Sequence, residues 1–179
     1  MNTRSANGLS LVLGLWLGAT VAVLGVVAWN FAGIPYALEA NDKLRDRLAF
    51  DVGDRVARRA QPIFVYSGEL NRHILYAWNR AQLALGAVAL WMAIRRQPRT
   101  SLLLALIAAG GLVVVTTFLL APEIESIGRS IDFVSESPAD TRFTRFAMLH
   151  RGYIIVEAVK TSLIALAAVL TARPRRDRR

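Results

Sequence analysis

SLLLALIAAGGLVVVTTFLLA, residues 101–121, contains no charged side chain. About 20 consecutive apolar residues is what a helix needs to cross the ~30 Å hydrocarbon core of a bilayer. Lipid offers no partner to a free backbone N–H or C=O, and a helix satisfies both within one segment. Arg99 precedes the run and Pro122 follows it. Proline lacks the N–H that continues the ladder, so the span is expected to end at Ala121. This stretch sets the class: all-α and membrane-spanning.

Working outward, residues 9–34 supply an equally apolar run, with Trp16 and Trp29 near its ends, where indoles favour the headgroup level. The uncharged stretch from Ser5 to Leu38 is far longer than the ~7–15 residues of a signal-peptide core, so a retained helix is expected. Gly14, Gly18, Ala22 and Gly25 form a small-residue stripe that lets another helix approach closely. Packing inside the bundle is the expectation for that stripe, ahead of dimerisation. Residues 75–94 make a less clean span, because only 81–94 is free of charge and the helix must extend back through Arg80. Ser67 is the candidate N-cap, placing the helix start near Gly68, and Trp78 and Trp91 bracket its apolar part. Residues 153–171 form the fourth span, with Ser137 and Pro138 placed to open its helix outside the bilayer.

The connection 39–64 alternates acid and base, with Leu44, Leu48, Val52 and Val56 at four-residue spacing. That single apolar stripe fits an amphipathic helix lying at the membrane interface. Residues 123–133 are expected to form a shorter helix of the same kind. The fold expected is therefore one domain, a four-helix transmembrane bundle with an interfacial amphipathic helix between the first and second spans, ending in a basic tail, 172–179.

Twenty-two Lys and Arg against 13 Asp and Glu give a net charge of +9. The basic residues cluster beside the apolar runs: Arg95, Arg96 and Arg99, then Arg173, Arg175, Arg176, Arg178 and Arg179. This placement fits anionic headgroups and the positive-inside rule, with both termini cytoplasmic, and no groove-reading motif points to nucleic acid. The absence of cysteine excludes disulfides and thiolate chemistry. No phosphate loop, dinucleotide fingerprint, zinc-protease motif or nucleophile elbow is present, so no catalytic residue is assigned.

Ionisable residues at membrane depth are costly, at roughly 2.5–3.5 kcal/mol on insertion scales, and call for a partner. Arg80 on the second helix and Glu157 on the fourth lie seven residues beyond His73 and His150 respectively. Equal depth of entry would bring Arg80 level with Glu157, with Lys160 competing from the next turn. His150, Tyr153, Glu157 and Lys160 share one helix face, so an intramembrane polar cluster of Arg80, His150, Tyr153, Glu157 and Lys160 is expected. His73 and His150, level on parallel helices, are weak candidates for holding haem or copper; otherwise no cofactor or metal is expected.

The order of motifs resembles the small four-span proteins of the bacterial domain-of-unknown-function family 4149, similar to eukaryotic transmembrane protein 205. The matching elements are Trp16-x-Gly18 with Pro35 beyond it, Pro122-Glu-Ile-Glu-Ser-Ile, and Phe146-Ala-Met-Leu-His150 leading into the fourth span. The chain departs from that pattern in its highly charged first connection and in Glu157 and Lys160. The resemblance implies a fold and a bacterial inner-membrane location, without a reaction. The function expected is a non-enzymatic accessory component that packs with a membrane-protein partner or with its own copies. A small oligomeric transporter or channel using the polar stripe is the alternative, and a bis-His haem or metal protein the second alternative.

Overall fold

The computed structural model describes residues 3–41, 43, 62–95, 100–134, 137 and 139–172. Four long helices carry them: α1 (Thr3–Glu39), α2 (Pro62–Ile94), α3 (Thr100–Ser130) and α4 (Thr141–Ala172). The described residues contain no strand. Among the described residues, three segments are long and apolar enough to cross a membrane: Gly8–Ile34 within α1, then α3 and α4. At 1.5 Å per residue each exceeds about 40 Å, more than the ~30 Å hydrocarbon core. Most of the expected amphipathic connection and nearly all of the basic tail lie outside the described residues.

Each helix packs beside its neighbour in sequence, and α1 closes the ring against α4, leaving α2 and α4 on a diagonal. α1 and α2 run antiparallel in one register. Gly8 lies against Met92, Trp16 against Gln82 and Gly86, Asn30 against Asn71, and Phe31 close to Gly68. The apolar core fills one half of this bundle. Leu9 and Leu13 of α1 meet Ala89 and Ala93 of α2, Leu102 to Val113 of α3, and Ile164 and Ala167 of α4. Alanines on three of the four helices let the backbones approach, which matters because apolar lipid gives helices little hydrophobic reason to associate.

Several local expectations are corrected. α3 does not stop at Ala121 but continues through Pro122 to Ser130, so no separate helix begins at Glu123. A π turn over Thr116–Leu120 makes this continuity feasible, with the Ala121 N–H donating to the Thr116 carbonyl five residues back. Proline collides with the carbonyl four residues before it, and one inserted residue in the ladder moves that carbonyl aside. α2 begins at Pro62, which suits a first helical turn, while Ser67 lies buried inside the helix rather than capping it. α4 begins at Thr141, where Asp140 caps it by accepting the Arg142 N–H at 3.0 Å. A carboxylate there also meets the positive end of the helix dipole, an advantage over the Ser137 hydroxyl.

The small-residue stripe is also displaced from its expected place. Gly14, Gly18, Ala22 and Gly25 all face away from the bundle, and a Cβ on any of the three glycines would meet nothing within 4 Å. Leu9, Leu13, Trp16 and Thr20 take the inward face instead. At about 100° per residue, the two stripes cannot both face inward.

Candidate functional site: a polar layer inside the bundle

Half-way along α4, Tyr153, Glu157 and Lys160 recur at helical spacing and turn inward, with relative exposures of 7%, 3% and 0%. The Lys160 ammonium donates to Glu157 Oε1. The Tyr153 hydroxyl faces both Glu157 and Asn79 across the diagonal. Asn79 and Gln82, three residues apart on α2, are equally buried. Gln82 Oε1 accepts the Trp16 indole N–H at 3.2 Å, and its amide nitrogen lies 3.5 Å from Asn79 Oδ1. Gly86 gives the indole its slot, since a Cβ there would come within 3.2 Å of the ring. Thr116, at the start of the π turn, is buried with its hydroxyl shared between the Leu112 and Val113 carbonyls, both at 3.0 Å. All four helices thus contribute to one polar layer near their midpoints.

Three buried atoms at the centre of this layer, Asn79 Nδ2, Tyr153 OH and Glu157 Oε2, form no well-aligned hydrogen bond, although the Tyr153 hydroxyl faces both of the other side chains. Removing ions from water costs several kcal/mol each, which a mutual attraction offsets only when the remaining hydrogen-bonding groups are also satisfied. The arrangement holds the Glu157–Lys160 charge pair among uncharged polar side chains of the other helices.

Three of the five residues expected in the intramembrane cluster meet here, and two do not. Arg80 lies one residue beyond Asn79 and is rotated outward; its guanidinium stacks 3.5 Å above the Tyr76 ring. Glu157 therefore pairs with Lys160, three residues away on its own helix, rather than with Arg80. His150 is exposed and stacks on Phe146 at a centroid distance of 5.9 Å. His73 is exposed too, with Nδ1 2.9 Å from the Glu69 carbonyl. Neither imidazole enters the space between α2 and α4. No group of three or more His, Asp or Glu side chains among the described residues is placed to hold a metal. Trp16, read from sequence as an interfacial anchor, is instead fully buried, whereas Trp29 and Trp91 are exposed. Trp29 stacks on Tyr36, and Trp91 lies beneath the Arg95 guanidinium.

A second polar network ties the end of the bundle where α2 begins and α3 stops. Arg72 reaches both Asp132 oxygens at 2.8 and 2.9 Å and Glu69 at 2.9 Å. Arg129 bonds Glu69 at 2.8 Å and Glu125 at 2.9 Å. Gly128 leaves room for this, because a Cβ there would stand 3.0 Å from Arg72 Nη2. Asp132 is set by a turn in which Phe133 takes φ 61°, a conformation uncommon for a bulky residue. The Arg72 hydrogen bond, aided by Arg129, holds the Glu69 carboxyl below its ordinary value of 4.5. A depressed carboxyl contributes stability that is complete above the unfolded value and disappears as pH falls through the folded one. Melting temperature is accordingly expected to drop on acidification below about pH 4.5, and Glu69→Gln to reduce that slope. Thermal melts of both proteins across the acid range would check it; parallel curves would contradict it.

Comparison with known proteins gives no identification: no family model, curated protein or solved structure matches the chain.

Proposed function

We propose that the chain is a four-span integral membrane protein, without a reaction of its own, that serves as a packing subunit of a larger membrane assembly. The fourth crossing is assigned to α2. Its contacts with α1 run from Gly8–Met92 to Phe31–Gly68, so it accompanies a membrane-length helix over nearly its whole length. A helix held alongside a span in this way passes through the same thickness of lipid. Arg80 is accommodated by its position on the outer face, where its long stem can snorkel.

The observation that carries the accessory role is the outer face of α1. Gly14, Gly18, Ala22 and Gly25 are left uncovered by the four described helices, and small residues in line permit close approach of another helix. The test is Gly14→Leu/Gly18→Leu, purified from native membranes in mild detergent with mass spectrometry of what accompanies it. The expected result is loss of a stoichiometric partner, or of a second copy, at an unchanged melting temperature. An identical set of companions in the variant would overturn the assignment.

An even number of crossings puts both termini on one face, and the arginines beside the span ends favour the cytoplasmic side of a bacterial inner membrane. The basic tail would there meet anionic headgroups. Kinship with the family 4149 group rests on the short motifs alone. A small transporter or channel is the second reading, favoured by the Glu157–Lys160 pair at mid-depth. Liposome flux abolished by Glu157→Gln would support it. Haem or copper held by His73 and His150 gains no support, since both rings lie on outer faces.

A further inference from the structure

α2 offers a far shorter apolar stretch to its surroundings than the other helices do. Residues 100–122 of α3 carry no charge, and residues 152–172 of α4 carry only the buried Glu157 and Lys160. At 1.5 Å per residue these stretches measure about 35 and 32 Å, enough for a ~30 Å hydrocarbon core. The uncharged stretch of α1, residues 5–38, is longer still. On α2 the charge-free stretch is residues 81–94, between the exposed Arg80 and Arg95. It measures about 21 Å.

The lean of the two arginines does not widen that gap. The Arg80 guanidinium lies 3.5 Å from the centroid of the Tyr76 ring, and the Arg95 guanidinium 4.4 Å from that of Trp91. Each therefore reaches one turn toward the start of α2, Arg80 away from the middle of the stretch and Arg95 into it. The two stations are about 22 Å apart at 1.5 Å per residue. Tyr76 and Trp91 are 52% and 55% exposed, and such rings favour the headgroup level. A guanidinium donates two parallel hydrogen bonds to a phosphate, so each arginine–aromatic pair has the chemistry of a bilayer edge. A protein cover fits them less well. Among the described residues no carboxylate pairs with Arg80 or Arg95, whereas Arg72, Arg129, Arg142 and Arg145 each have one. In a second copy Glu69, Glu123, Glu125, Asp132, Asp140 and Glu157 are likewise taken by cations of their own chain.

We propose that Arg80 with Tyr76 and Arg95 with Trp91 hold lipid phosphates of opposite leaflets, which thins the bilayer along the outer face of α2. This rests on α2 being a crossing. A span too short for its bilayer is accommodated by thinning, by snorkelling of flanking residues or by association with another span. The lean of Arg95 toward the middle works against the second, and the want of a carboxylate against the third. The bilayer is then thinnest beside α2 and of ordinary thickness beside α3, whose uncharged stretch matches the core.

Val88 and Gly111 mark the middles of the α2 and α3 stretches, and both are exposed. A Cβ on Gly111 would meet nothing within 4 Å, and no native cysteine interferes. Val88→Cys and Gly111→Cys, each carrying a nitroxide, are placed in bilayers of phosphatidylcholine with 18-carbon monounsaturated chains. Electron paramagnetic resonance then reads label depth from collisions with oxygen and with a water-soluble nickel chelate. The label at 88 is expected about 4–5 Å shallower than that at 111, half the difference between the ~30 Å core and the ~21 Å stretch. Adding Arg80→Leu/Arg95→Leu should bring the two to equal depth. With both arginines in place, 14-carbon chains should do the same, which decides the matter if the double variant fails to fold. Equal depths in the thicker bilayer with both arginines present, or a difference that persists without them, overturn the proposal. So does a label at 88 that neither reagent reaches, which would put a protein against α2. A label at 88 as open to the chelate as in water, with or without the arginines, would show instead that α2 is not a crossing, and the proposal would fall with that reading.

Discussion

Lys160→Met is expected to cost the bundle about 3–5 kcal/mol, because it strips the partner from a buried carboxylate. Glu157 is 3% exposed, and its second oxygen already forms no well-aligned hydrogen bond. Methionine fills most of the lysine volume, so the loss would report charge rather than a cavity. Reversible unfolding in mixed micelles, followed by tryptophan fluorescence, measures it. The informative companion is Glu157→Leu/Lys160→Met, which removes both charges. Replacing a buried ion pair by apolar residues is often neutral or stabilising by about 1–4 kcal/mol, so the double variant should regain most or all of the stability. A stable double variant would mean that the pair is retained for something other than holding the helices together. A single variant within about 1 kcal/mol of the parent would mean that Glu157 is far better solvated than its burial indicates.

Trp16→Ala is expected to cost a similar amount, about 3–5 kcal/mol, for a different reason. Trp16 is the largest fully buried side chain, seated over Gly86 and bonded to Gln82. Truncation leaves a cavity between α1 and α2 and a buried Gln82 oxygen without its donor. Trp16→Phe separates these effects. It keeps most of the ring but loses the N–H, and about 1 kcal/mol is expected for that bond alone. The same unfolding measurement applies. If Trp16→Ala melted like the parent, the indole would have to lie at the lipid surface, where sequence reading had put it.

The element types were legible because they rest on hydropathy over long windows. Residues 101–121 and 153–171 could hardly be read as anything but helix, and the inward face of α4 followed from the spacing of Tyr153, Glu157 and Lys160. What failed depended on rotation about a helix axis. Gly14, Gly18, Ala22 and Gly25 are a real stripe, but α1 has two stripes, and periodicity alone does not say which one the bundle takes. Arg80 and Asn79 are neighbours, yet one lies on the outer face and the other in the centre. Asn79 and Gln82, three apart in an apolar helix, were a readable sign of an inward polar face that the more conspicuous Arg80 obscured. Pro122 was read by its local rule, and the π turn over Thr116–Leu120 that accommodates it leaves no mark in a single sequence.

The assignment of α2 as a crossing is the claim on which the four-span reading rests. Single cysteines introduced by Lys43→Cys, Gln97→Cys and Ser137→Cys, labelled with a membrane-impermeant maleimide in sealed vesicles of known orientation, test it directly. The account predicts that positions 43 and 137 label from one side and position 97 from the other. Labelling of 43 and 97 from the same side would contradict it.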